Sequence, residues 1–464
     1  MKNEMVKIFV ALLVLSSCNN QKKYSKPNIV LILADDLGVP QVGCYGTDYY
    51  QTPNIDRLAE TGTRFTNAYT AASICSPTRA SIFTGKYPAR LHLTDFIPGR
   101  NYKNKPLNIP DWQKWLPTEE VTIAEKLKEA GYNTALFGKW HLSKSKIPPK
   151  SLPFNPDRQG FEETFVTYKP AKRSGLPSWQ KPEKDAHNVD TLTNRAVDYI
   201  QRHKDDPFFL VISHNSIHDP LMEKEASIAK YRNSGKDKEE NNPIIAAMVE
   251  RLDKSVGKVT KTIDNLRLGE NTLLIFYSDN GAKHAYARQT PFRKGKGWLY
   301  EGGIRVPMIA RWNGKIKAES TINDPVSSID LFPTFMEIAK SENKNITDGI
   351  SLVNTLTKGE KINRQDLYWH YPHYHGGSGM KPASAIRSGK YKLVEWHENK
   401  LLGLDNTYEL YDLENDIGEQ KNLINSMPKK AEELKLKLDK WKMDVKAQSP
   451  TINQNYVTNV TIQD

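Results

Sequence analysis

Four short apolar runs punctuate the chain, and each gives way abruptly to residues that carry chemistry. NIVLILADD (28–36) ends in Asp35 and Asp36, and NTALFGKWH (133–141) ends in Lys139 and His141. FFLVISHNSIH (208–218) ends in His214 and His218, and TLLIFYSDN (272–280) ends in Asp279 and Asn280. Continuous runs of this length predict strands buried on both faces of a parallel sheet. In open α/β sheets ligands gather beyond the carboxyl ends of the strands, so the four endings are expected to converge on one site.

Between these runs lie TPNIDRLAETG, TIAEKLKEAG, DTLTNRAVDYIQRH and IIAAMVERLDKSVGKVTKTIDNL, whose apolar positions recur with helical spacing, and Gly62 and Gly131 stand where C-terminal caps belong. The alternation predicts an α/β fold, a large mixed and mostly parallel sheet flanked by helices. SIDLFPTFMEIAK (328–340) adds a late helix. After about residue 360 the pattern changes. DLYWHYPHYHGGSGM is first aromatic and His-rich and then glycine-rich, while AIRSGKYKLVEW and YELYDLEND read as paired antiparallel strands. PKKAEELKLKLDKWKMDVKAQ (428–448) reads as an amphipathic helix. A catalytic domain over 25–360 and a smaller C-terminal α+β subdomain over 361–464 are therefore expected.

Charge narrows the partners. Among 464 residues, 66 Lys and Arg stand against 54 Asp and Glu, a formal charge of +12, which favours a polyanion: nucleic acid, an anionic lipid surface, or a sulfated or uronate-rich polysaccharide. The lysines are dispersed and no DNA-binding module is recognisable, so no nucleic-acid partner is expected. At the start, Lys2 and Lys7 precede IFVALLVLSSC, an apolar run too short to span a bilayer. LSSC (15–18) resembles a bacterial lipobox, with 1–18 as signal and Cys18 as the acylated first mature residue. The expectation is an exported lipoprotein, periplasmic or associated with the outer membrane, that meets the membrane through its lipid anchor only. Export leaves Cys44 and Cys75 in an oxidising compartment, where either they pair or Cys75 has a chemical task and Cys44 is simply buried.

SICSPTRASIFTG (73–85) bears on that choice. Ser76 suits an N-cap and Pro77 the first helical turn, which sets Cys75 just outside a helix start whose N–H groups favour anions. Arg79, in the first turn, can fork onto an anionic oxygen. Asp35, Asp36, Asp279 and Asn280 offer only oxygen donors, a hard set suited to Ca²⁺ or Mg²⁺ and poor for zinc. Singly, Asp36 could cap a helix and Asp279 open a turn; clustered together, unpaired carboxylates would repel one another.

Cys75, Pro77 and Arg79 form a C-x-P-x-R pattern, and here the chain resembles the type I sulfatases of the alkaline phosphatase superfamily. TRASIFTGKYPAR, NIVLILADDLG, TPNIDRLA, GKWHL, SDNG, GKGWLYEGGIRVP and LYDLENDIGEQKNL follow in that family's manner and order over nearly the whole mature chain. The resemblance implies that Cys75 is oxidised to formylglycine by a formylglycine-generating or anaerobic sulfatase-maturating enzyme. The aldehyde then hydrates, one hydroxyl attacks sulfur, and the other lets the sulfated hemiacetal collapse and expel sulfate. It implies one Ca²⁺ per site, ahead of Mg²⁺, held by Asp35, Asp36, Asp279 and Asn280 together with residue 75. His141 would activate the diol, Arg79 belongs to the motif, and Lys139 and Lys296 would contact the sulfate, with Arg293 and Lys294 close enough to compete for the latter role. His218 would protonate the leaving group; Ile217 replaces the proline usual before it, which leaves His214 as a rival.

The implied substrate is a sulfated polysaccharide or its oligosaccharides, an ulvan, a carrageenan-type galactan or a glycosaminoglycan, attacked at terminal sugars. His373 and His375, with Tyr374, would line a sugar pocket or else pack between subdomains, and Arg293 would also meet the substrate or else belong to a solvated basic loop. Two other functions fit the same residues: a formylglycine-dependent phosphodiesterase or phosphonate hydrolase, and, should Cys75 stay a thiol, a lipoprotein that binds anionic glycans without turnover.

Overall fold

The computed structural model describes residues 26–100, 102–144, 154–167, 185–235, 241–341 and 346–457. The signal segment and Cys18 lie outside the described residues. The four apolar runs become four adjacent strands at the middle of an eight-stranded sheet. In chain order the strands are β1 (Asn28–Ala34), β2 (Thr63–Phe65), β3 (Asn133–Gly138), β4 (Glu163–Val166), β5 (Phe208–Ser213), β6 (Thr272–Ser278), β7 (Met308–Arg311) and β8 (Ser320–Ile322). Across the sheet they run β8-β2-β7-β6-β1-β5-β3-β4. All neighbours are parallel except β7, which is antiparallel to both β2 and β6, so the sheet is mixed and mostly parallel, as the alternation predicts.

Every residue of β1, β5 and β6 is buried, which is why these strands read as unbroken apolar runs. Odd positions of β1 (Ile29, Leu31, Leu33) pack with helices α2 (Cys75–Thr84), α3 (Ile123–Glu129) and α6 (Leu331–Ile338). Even positions (Val30, Ile32, Ala34) pack with α1 (Pro53–Glu60), α4 (Val189–Arg202) and α5 (Pro243–Asn265). The helix ends obey local rules: Thr122 and Glu125 close a capping box at α3, and Gly131, at φ +84°, follows its last turn. Gly62 differs from expectation, because Thr61 ends α1 and the glycine is needed instead for a close pass by the Ala310 carbonyl.

Register brings the tips of the four strands level. Ala34 pairs with Ser278, Leu33 with Ser213, and Gly138 with Ser213, so the next residues of all four strands emerge at one edge. Gly138 makes that edge tight. At φ +116° it lies so close to the Ser213 carbonyl that an added Cβ would fall 1.8 Å from the oxygen. Only glycine satisfies both constraints.

The C-terminal part folds as an antiparallel sheet of β9 (Asp366–Tyr371), β10 (Ala383–Ser388), β11 (Tyr391–Trp396) and β12 (Tyr408–Asp412), covered by α7 (Pro428–Asp444). Leu434, Leu438 and Trp441 of α7 pack over Ile386, Leu393 and Leu410. A buried ionic bridge ties this sheet to the segment after β6: Lys392 Nζ lies 3.1 Å from Glu301 and 2.9 Å from Glu419, all three side chains fully buried. Farther along, Thr451–Ile452 pairs antiparallel with Leu107–Asn108. Among the described residues no helix is long and apolar enough to cross a membrane.

Candidate active site

Helix α2 begins two residues earlier than its sequence suggests. Its N-cap is Ile74 and Cys75 is the first helical residue. Ser76 does not cap, because its Oγ accepts a hydrogen bond from Ile97 N at 3.0 Å in the neighbouring wall segment. The thiol thus sits at the N-terminus of a helix buried along its whole length, where the dipole favours negative charge.

Around it the strand tips converge. Ligand atoms of Asp35, Asp36, Cys75 and Asp279 all lie within 4.8 Å of one another. Cys75 Sγ is 3.4 Å from Asp35 Oδ1 and 3.8 Å from Asp36 Oδ1. Lys139 Nζ donates to Asp35 Oδ2 at 2.7 Å, and Lys296 Nζ donates to Asp36 Oδ1 at 2.6 Å while lying 3.4 Å from Sγ. Arg79 turns away from the thiol. Its Nε and Nη2 both donate to Asp279 Oδ2, at 2.9 and 2.7 Å, and its Nη1 donates to the Lys139 carbonyl and to Ser213 Oγ. The anionic oxygen that its fork meets is therefore a carboxylate of the site itself.

Three carboxylates are matched here by three cations, which sets the protonation states. Burial opposes ionisation of Asp36, yet Lys296, His218 and Lys139 hold it below the usual carboxylate range. Burial likewise opposes ionisation of Asp279, and Arg79 overrides it. At Asp35 burial wins over Lys139, and the Asp279 and Asp36 charges push the same way, so its pKa is raised. The thiol of Cys75 is pushed far up, first by burial and then by Asp279. Unmodified, it is a protonated and poor nucleophile.

The donor set fits a hard divalent cation. Asn280 Nδ2 donates to Asp36 Oδ1 at 2.8 Å and to the Gly281 carbonyl at 2.9 Å, while its Oδ1 is buried without a hydrogen-bond partner among the described residues, an acceptor in want of a positive charge. Three carboxylates and an amide oxygen are ligands for Ca²⁺ or Mg²⁺.

Asp35, Asp36 and Cys75, with Lys139 and Lys296, line a cavity of 340 Å³ whose wall also includes His141 and His218; Asp279 and Asn280 are not part of that lining. His141 Nε2 lies 2.7 Å from the Ile97 carbonyl, which can only accept, so this nitrogen carries the hydrogen and Nδ1 is the basic one. Burial and then Lys139 keep the ring neutral by lowering its pKa. His218 Nε2 is 3.9 Å from Asp36 Oδ2, and its Nδ1 is 2.7 Å from the Asp219 carbonyl.

Several sequence-level candidates lie elsewhere. His214 is fully buried, shares a hydrogen bond with Ser255 Oγ at 3.1 Å, and is not in the cavity wall, which removes the rival to His218. Arg293 stacks on Tyr300 and donates to Tyr411 Oη and the Glu419 carbonyl; it joins the segment after β6 to the C-terminal sheet and does not line the cavity. His373 is buried against Trp112 and bonded to Thr94 Oγ1, and Tyr374 donates to Glu398, so of the three only His375 reaches the wall, together with Gly377 and Ser378. Lys294 lies over the Trp298 ring, so of Arg293, Lys294 and Lys296 only Lys296 joins Lys139 in the cavity wall. Cys44 and Cys75 are both free, so the disulfide alternative falls. Sequence reading missed Asn215, Arg100 and Lys283, which line the same cavity. Asn215 follows β5 by two residues, and the strand-end rule that selected His214 would have found it.

The Sulfatase family profile matches residues 27–341, and the profile for the N-sulphoglucosamine sulphohydrolase C-terminal region matches residues 293–448. A sulfatase of Formosa agariphila is 31% identical across 91% of this chain and 88% of its own. An N-acetylgalactosamine-6-O-sulfatase of Bacteroides thetaiotaomicron is 29% identical across 94% of this chain and 98% of its own. Among solved structures, Ps i-CgsB in complex with k-i-k-neocarrahexaose superposes with a TM-score of 0.76 at 29% identity, covering 92% of this chain and 95% of that one.

Proposed function

The chain belongs to the sulfatase family and is a sulfuric ester hydrolase, and on that footing we propose that its substrate is a sulfated carbohydrate and its nucleophile is residue 75 in the formylglycine form. The observation that carries this reading is the meeting of Cys75 with the oxygen-donor cluster at the floor of one cavity. A thiol kept protonated by burial cannot attack a sulfate ester, whereas a hydrated aldehyde at the same position can attack and then release sulfate without hydrolysis of a stable ester. The glycan reading is supported by the Bacteroides relative, named for N-acetylgalactosamine-6-O-sulfate, and by the carrageenan oligosaccharide held by the structural neighbour.

In this proposal Asp35, Asp36, Asp279 and Asn280 would hold a calcium ion, which when bound would polarise the sulfate oxygens. The protein groups do the rest. Lys139 and Lys296, whose charges balance Asp35 and Asp36 here, would also face the sulfate and the charge that spreads over it during transfer. His141, neutral and fixed by the Ile97 carbonyl, presents its basic Nδ1 for the proton of the diol. His218, held neutral by burial and then by Lys296 with its hydrogen on Nδ1 against the Asp219 carbonyl, would take up a proton at Nε2 when the anionic substrate arrives and pass it to the departing sugar oxygen. Arg79 does not touch substrate in this scheme; it is a positioning residue that orients Asp279. Export with a lipid anchor at Cys18 and maturation by a separate enzyme belong to the same reading.

The test combines mass analysis of residue 75, in protein produced together with a maturation enzyme, with ion chromatography of sulfate released from a panel of sulfated glycans. Conversion to the aldehyde and sulfate release are expected together. Conversion without release from any glycan would sink the carbohydrate assignment, and faster cleavage of phosphate diesters would favour the phosphodiesterase alternative.

A further inference from the structure

The cavity wall carries four cationic side chains, and they fall into two classes. Lys139 and Lys296 are buried at the floor and paired with Asp35 and Asp36. Arg100 and Lys283 line the same cavity with no such partner. Arg100 is exposed and makes no hydrogen bond or ion pair among the described residues. Lys283 rests on the Tyr286 ring at 4.2 Å and donates to its hydroxyl at 3.1 Å, but meets no carboxylate among the described residues. Two acids are close by without touching either cation: Asp219, in the same wall, lies 3.2 Å from His218 Nδ1, and Asp95, its pKa raised by burial and eased down in part by Arg100, accepts from Phe96 N and Tyr371 Oη.

Both cations stand on backbone that is held in place. Arg100 follows Ile97, whose N–H is bonded to Ser76 and whose carbonyl is bonded to His141, so the segment is fastened to the helix of Cys75 and to a site histidine. Lys283 follows Asn280 by three residues, in a turn closed by Tyr286 N and Ala287 N on its carbonyl and by Lys296 N on that of Ala282. Two positive charges on fastened loops in one cavity wall, neither in direct contact with a carboxylate among the described residues, are an anion-recognition pattern. The cavity, at 340 Å³, is at the small end for ligand pockets, so what the rim contacts is the reacting sugar or the one linked to it.

We propose that Arg100 and Lys283 form a second oxyanion subsite, so that the preferred substrate carries a further sulfate or carboxylate besides the sulfate that is removed. The proposal rests on the sulfated-carbohydrate reading and narrows it to polyanionic sugars.

Calorimetric binding to the Cys75→Ser protein tests it with three probes: neocarrabiose monosulfate, its disulfate, and a monosulfated disaccharide carrying a uronate. The disulfate, the uronate or both bind about tenfold tighter than the monosulfate, and which of them does so identifies the anion. Replacing both residues, Arg100→Ala with Lys283→Ala, erases the difference and leaves monosulfate binding within about twofold, while Arg100→Lys with Lys283→Arg retains it. Equal binding of all three probes, or a preference that survives the double alanine variant, overturns the proposal. Sulfate release from the same probes by matured enzyme separates the two ideas: no release despite rim-dependent binding sinks the hydrolase reading alone, and release indifferent to the rim sinks the subsite alone.

Discussion

Arg79 grips a single oxygen of Asp279: Nε and Nη2 both donate to Oδ2, and the pair is fully buried. Oδ1 is thereby turned toward the cluster, where it accepts from Asp36 N at 3.2 Å. The arginine sets which lone pairs the site can use. Arg79→Ala leaves a buried carboxylate without its partner and is expected to destabilise the protein by about 3–5 kcal/mol. Arg79→Lys keeps the charge but cannot fork onto Oδ2 and also reach the Lys139 carbonyl and Ser213, so calcium affinity falls roughly 10- to 100-fold with a smaller loss of stability. Denaturant unfolding and calorimetric metal titration of the two variants check this; unchanged affinity in Arg79→Lys would contradict it.

Calcium should stabilise the chelator-treated protein, because an ion that binds the folded oxygen-donor cluster and not the unfolded chain shifts the equilibrium toward the fold. At a hundredfold excess over the dissociation constant the gain is about 2.7 kcal/mol, read as a rise in melting temperature. Asp36→Asn should remove most of that rise, and Zn²⁺ should not reproduce it. A melting curve indifferent to millimolar Ca²⁺ would count against the metal assignment.

His218 is tested by the leaving group. A sugar alkoxide departs only with a proton, whereas a nitrophenolate departs without one. His218→Ala should therefore slow glycan desulfation by about 10²–10⁴-fold and slow p-nitrophenyl sulfate hydrolysis far less. Equal losses on both substrates would remove the histidine from the proton-donor role.

Lys392 is shared by two buried carboxylates, so one of them keeps its proton more readily. Burial raises Glu419 to about 7, against Lys392 and helped by Glu301, while Lys392, Arg305 and Arg387 overcome burial to hold Glu301 low. A carboxyl whose folded pKa lies above its unfolded value of 4.5 contributes stability that is complete below that value and is lost as pH rises toward 7. Glu419→Gln cannot titrate, so its melting temperature should fall less than the parent's between pH 4.5 and 7. Parallel curves would mean that Glu419 is ordinary.

What the sequence disclosed, and what it did not, follows from burial. The central strands declared themselves because both faces are covered, and their tips were legible because acids, lysine and histidine beside such runs have few other reasons to be there. Short outer strands such as β2, β4 and β7 carry too few residues to show a period. His373 was left between a sugar pocket and packing because a polar side chain in an aromatic stretch looks the same in sequence whether it faces a cavity or packs beneath one; the structure buries it against Trp112. Ser76 misled for a related reason. Its hydroxyl suits a cap, yet a wall segment distant in the chain claims it. Arg100 and Lys283 belong to no pattern; only the fold brings them to the same mouth.

The pairing of Thr451–Ile452 with Leu107–Asn108 has a practical side. Asn453 reinforces it, with its N–H on the Pro106 carbonyl and its side-chain amide on that of Lys105, and all of this holds the stretch that follows Arg100. Trimming the protein after α7, as a crystallographer seeking a tidier molecule would be tempted to do, unclasps that stretch and loosens the arginine from its post. A tag or surface linkage attached there would tug on the same clasp, so immobilised enzyme is better tethered through the outward side of α7.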